Sequence, residues 1–136
     1  MNRTLFEQLV EQILATLPVE YADRLHNLVF TIEDWADAGL LAEFGFEDPA
    51  ELLGFFSGTP LTERSFEQID TGPEMISLYQ GAIELEARRS GLPLQQVIRE
   101  TLWHEIAHYF GFSEEEMDRI EDFWAGQNFP DPKNGY

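Results

Sequence analysis

LQQVIRETLWHEIAHYFG, residues 94–111, is the stretch on which the fold turns. Leu94, Val97, Ile98, Leu102, Ile106 and Phe110 recur at the three- and four-residue spacing of an amphipathic helix. Pro93 sits where a first helical turn tolerates proline. Gly111 follows as the residue that takes left-handed backbone geometry at the helix end. Inside this helix stands His104-Glu105-Ile106-Ala107-His108. Residues i and i+4 project from one helix face a turn apart, so both imidazoles can reach one ion at ~2.0–2.1 Å. Glu105 lies ~100° further around, able to reach a water on that ion without binding it. With 3 His and 18 Glu among 136 residues, chance places such a pattern about 0.01 times. The motif therefore stands above the plain reading of two histidines on a surface helix.

Carboxylates cluster directly after the turn at Gly111: Glu114, Glu115, Glu116 and Asp118. Glu114 lies ten residues after His104, where a third ligand can fold back toward the two histidines. Glu116 is placed to close a capping box with Ser113 at the start of a final helix running to Trp124. An acidic first turn favoured by the helix dipole accounts for the cluster equally well.

Upstream, residues 4–17 carry Leu5, Phe6, Leu9, Val10, Ile13, Leu14 and Leu17 at helical spacing, with Thr4 and Glu7 as a capping box and Pro18 as the stop. Three runs read as strands: 25–33 (LHNLVFTIE), 52–57 (LLGFFS) and 75–80 (MISLYQ). The acidic stretch 34–51 between the first two has room for a short helix. Residues 82–90 form a helix ended by Gly91. The expected architecture is α+β, a small three-stranded sheet packed against about four helices and covered on one side by the helix bearing His104. A single domain spans 1–125, and residues 126–136 read as a loose tail rich in Pro, Gly and Asn.

Eight Lys and Arg against 26 Asp and Glu give a net charge of −18. Such a chain repels phosphate backbones and anionic lipid, so neither nucleic acid nor a membrane is an expected partner. A hydrophobic content of 43% argues against disorder. The absence of Cys excludes disulfides, thiolate metal sites and Cys nucleophiles, leaving His, Asp and Glu as zinc ligands. The N-terminal segment is interrupted by Glu7, Gln8, Glu11 and Gln12, unlike a secretory h-region, and a cytoplasmic setting is expected.

HEIAHYFGFSEEEMD resembles the extended zincin signature, His-Glu-x-x-His-x-x-Gly-x-x followed by His, Asp or Glu. Residues 17–34, 52–64, 72–84 and 94–118 together resemble the minimal zincin-like metallopeptidases, short bacterial single-domain proteins, with the turn GTPLTER (58–64) narrowing the match. The resemblance implies a zincin-like fold, one zinc ion per chain, His104 and His108 as ligands, and Glu105 as general base. It implies Glu114 as third ligand, although a Glu is one methylene longer than the Asp of related signatures, so that Glu115 or Asp118 can substitute. A metzincin Met-turn is not matched, since Met117 falls within the final helix and Met75 begins a strand. The resemblance also implies that a peptide pairs with a sheet edge, 52–57 or 75–80. Tyr79, Tyr109, His26 and Arg64 are candidate oxyanion stabilisers, each with an ordinary packing role as the plainer reading.

The expected function is hydrolysis of a peptide or protein substrate by metal-activated water. The alternative is a non-catalytic zincin-fold module that binds metal or regulates a partner, because 136 residues leave little material for a second lobe around a cleft. A weaker third reading, an acidic mimic that masks basic partners, has no use for Glu105 between two histidines.

Overall fold

A computed structural model of the chain describes residues 1–58, 74–113 and 115–119. The chain opens with α1 (Arg3–Leu14), followed by a single turn, α2 (Val19–Ala22), and strand β1 (Leu28–Glu33). Next come α3 (Ala38–Phe44), a 3₁₀ turn at Pro49–Glu51, and β2 (Gly54–Ser57). β3 (Glu74–Tyr79) runs straight into α4 (Gln80–Ser90), and α5 (Leu94–Phe110) follows. Residues 115–119 are helical. The expected tail, 126–136, lies outside the described residues.

The sheet order is β1-β3-β2. β1 pairs parallel with β3, Phe30 opposite Ile76, and β2 pairs antiparallel, Phe56 opposite Ile76. Strand periodicity sends Leu28, Phe30, Ile32, Ile76, Leu78 and Phe56 to one face. There they meet Phe6, Val10 and Ile13 of α1 and the buried stripe of α5 in the main core. The opposite face is thinner. Tyr79 packs there with Ala36, Leu41, Leu52 and Ala82, and Phe55 leans on the same cluster. The expected α+β arrangement with the sheet covered by the histidine-bearing helix is what the structure has.

Several boundaries differ from the sequence reading. The cap of α1 is Asn2, whose side chain accepts the Leu5 N–H at 2.8 Å, so Thr4 lies inside the helix. α1 stops at Leu14, three residues short of the expected end, although Leu17 is still buried in the core. The first strand begins at Leu28 rather than Leu25. The chain leaving α2 continues in turns, with Leu28 N–H donating to Leu25 O. The second strand begins at Gly54, after the 3₁₀ turn that Pro49 starts. Gln80 belongs to α4, which begins two residues before the expected 82 because no breaker separates it from β3. Pro93 occupies the cap of α5 rather than its first turn. Because β3 is paired on both sides, 75–80 cannot serve as the expected free edge; β2 has a second strand on one side only among the described residues.

Candidate metal centre

α5 is built to bury most of its circumference. Val97, Ile98, Leu102, Trp103, Ile106, Tyr109 and Phe110 are all buried, while His104 and His108 stay exposed on the remaining face. Trp103 fixes the helix from beside the motif: its ring meets Tyr21 edge-on at 6.1 Å and Phe112 at 6.3 Å. Gly111 ends α5 at φ 75°, in the left-handed region where a side chain costs roughly 1–2 kcal/mol. The turn lets Phe112 return to the core cluster.

The Nε2 atoms of His104 and His108 lie 3.0 Å apart, with the rings nearly perpendicular at 86°. Nitrogens on one tetrahedral ion at ~2.0–2.1 Å stand about 3.3–3.4 Å apart. A few tenths of an ångström of ring movement therefore admits a metal. One ligand atom each from His104, Glu105 and His108 lies within 4.8 Å of the others, the one such group among the described residues. Two imidazoles and a carboxylate suit zinc and similar divalent ions.

Glu105 faces inward and is 8% exposed. Burial pushes its carboxyl up to about 7, opposed by a hydrogen bond from the Phe56 main-chain N–H. That bond comes from β2, which the helix approaches closely at Gly54. A Cβ on Gly54 would stand 2.8 Å from Thr101 Cγ2 and 3.2 Å from Glu105 Cγ. Sequence reasoning missed Gly54 and the Phe56 amide. The available signal was the lone glycine in LLGFFS, since glycine within a strand marks close backbone approach.

The remaining candidates divide. Glu114 lies outside the described residues, as does Arg64. Glu115 and Asp118 are exposed and do not join the histidine group. Glu116 is engaged as expected: its carboxylate accepts the Ser113 N–H at 3.3 Å, and Ser113 Oγ accepts the Glu116 N–H at 3.2 Å. Met117 is buried in the main core within helical residues rather than in a turn. Tyr109 is buried, donates its hydroxyl to Arg24 O at 3.2 Å and packs against Phe56. His26 Nδ1 sits 2.7 Å from Asp23 O. Tyr79 is buried in the minor cluster, its phenol raised by that burial and then by Glu33. These partners give the three residues packing and turn roles. No described helix is long and apolar enough to cross a membrane.

A protein-family model described as zincin-like metallopeptidase matches residues 25–124, well over half of the chain. The match covers all three strands and α5. No curated protein matches the chain at a significant level.

Proposed function

The chain belongs to the zincin-like metallopeptidase family, and from that premise we propose that it is a zinc-dependent hydrolase of peptide bonds with one ion per chain. The observation that carries the reading is the pair of Nε2 atoms 3.0 Å apart with a buried carboxylate beside them. His104 and His108 hold the ion, and Glu114, at the signature position past the Gly111 turn, supplies the third ligand. Three protein ligands leave the fourth position open for water, the arrangement of catalytic rather than structural zinc. When bound, zinc supplies a Lewis acid that lowers the pKa of water toward ~7 and polarises a carbonyl.

The chain's own residues carry the proton. Glu105 reaches the space beside the two imidazoles without being needed as a ligand, so its carboxylate is free to accept the proton of the attacking water. The same carboxyl then returns that proton to the leaving amine, which must be protonated to depart. Burial behind β2 keeps bulk water from competing for it. The substrate is a peptide or protein segment.

The experiment is a fluorogenic peptide library presented to zinc-loaded protein, with Glu105→Gln and Glu114→Ala alongside. The proposal expects metal-dependent cleavage, cleavage lost with zinc retained in Glu105→Gln, and weaker zinc in Glu114→Ala. Zinc binding without cleavage of any peptide would favour the non-catalytic binding module instead.

A further inference from the structure

The register of β2 against β3 fixes which of its main-chain groups face outward. Tyr79 N–H donates to Leu53 O at 2.9 Å, and these residues are opposite each other in the register that pairs Gly54 with Leu78. Hydrogen-bonded pairs in an antiparallel ladder recur every second residue, so Phe55 and Ser57 also turn their amides toward β3. Gly54 and Phe56 turn theirs away from the sheet. An outward amide on an edge strand ordinarily meets solvent. The Phe56 N–H instead meets the carboxylate of Glu105.

That meeting depends on the absence of a side chain at Gly54. Thr101 and Glu105, one turn apart on α5, both press on this position, and Ser77 O would lie 3.3 Å from an added Cβ. The 2.8 Å approach to Thr101 Cγ2 is closer than real Cβ contacts allow, so helix or strand would have to retreat. We propose that β2 is a positioning strand for Glu105: the Phe56 main-chain N–H holds one carboxylate oxygen, and the bare Gly54 lets the strand reach it. Anchored through one oxygen, the carboxylate keeps the other for the space beside His104 and His108. A buried acid with no such tether could swing among rotamers, and only some of these address the metal. The anchoring stands on packing alone; its catalytic meaning rests on the hydrolase reading above.

Amide hydrogen exchange by NMR tests the anchoring without requiring turnover. A protein hydrogen bond contributes about 0.5–1.5 kcal/mol, which corresponds to roughly 2–13-fold slower exchange where it must open first. The expected result is a protected Phe56 amide in the metal-free protein that exchanges at least about twofold faster in Glu105→Ala, while Phe55 changes little. Gly54→Ala should expose the Phe56 amide similarly. Adding Thr101→Ser, which removes the clashing Cγ2 but keeps the Oγ that bonds Val97 O, should restore part of the protection. In zinc-loaded protein, Gly54→Ala should lower kcat about tenfold or more, with KM and zinc affinity within about threefold of wild type. Equal Phe56 exchange in wild type and Glu105→Ala would overturn the anchoring, whether or not Gly54→Ala folds. Full kcat in a folded Gly54→Ala would overturn its positioning role. Absence of cleavage in wild type with a protected Phe56 amide would count against the hydrolase reading and leave the anchoring supported.

Discussion

Nε2 of His104 stands 3.0 Å from Nε2 of His108, across one turn of α5. Two imidazoles can sit this close only when a proton or a cation lies between them, because two bare lone pairs or two N–H groups repel. Without metal, one ring donates to the other. The geometry thus holds the pair near the separation an ion requires, and little reorganisation is left to oppose binding.

Glu105→Gln separates chemistry from metal binding. The amide keeps the shape and can still accept the Phe56 N–H, but it cannot take a proton from water. Removing a general base costs typically about 10²–10⁴-fold in rate. Steady-state cleavage should fall by that factor in kcat, with zinc content unchanged by elemental analysis. A variant that cleaves like wild type would remove Glu105 from the proton path.

The same residue makes stability depend on pH in the metal-free protein. Its carboxyl titrates at about 7 in the fold against 4.5 as the reference value. Folding therefore favours the neutral form. The stability this contributes is complete below about 4.5 and is lost as pH rises through about 7. Between pH 5 and pH 8, wild type should lose about 2–3 kcal/mol relative to Glu105→Gln, on the order expected for that shift. Urea unfolding of both proteins with a chelator present measures it. Parallel pH profiles would show that the carboxyl is solvated in the fold.

At the other end of the chain, Asn2→Ala should cost about 1 kcal/mol because its side chain caps the Leu5 amide of α1. Thr4→Ala, at an exposed position inside the helix, should stay within about 0.5 kcal/mol. Thermal denaturation of the two variants distinguishes the caps. A larger loss for Thr4→Ala would restore the capping box the sequence suggested.

That example shows where sequence pattern stops informing. Both Asn2 and Thr4 are good caps, and only the path of the chain chooses between them. Long, strongly periodic segments were legible: the stripe from Val97 to Phe110 and the alternation Ile76, Leu78 against Met75, Ser77, Tyr79 match the core as found. The histidine pair was legible because helical spacing alone places i and i+4 on one face. Strand order was not, since pairing is set by contacts between residues far apart in the chain. Hence 75–80 could be taken for an edge when it is the central strand. The Phe56 amide was invisible for a simpler reason: a main-chain donor leaves no mark in the residue letters, and only Gly54 hinted at the close approach.

Zinc content measured by elemental analysis, for wild type beside His104→Ala, addresses the central claim most directly. Wild type should carry close to one zinc per chain, and the variant, with one of two adjacent imidazoles gone, close to none after dialysis against a weak chelator. Equal zinc in the two proteins would contradict a site built on His104 and His108.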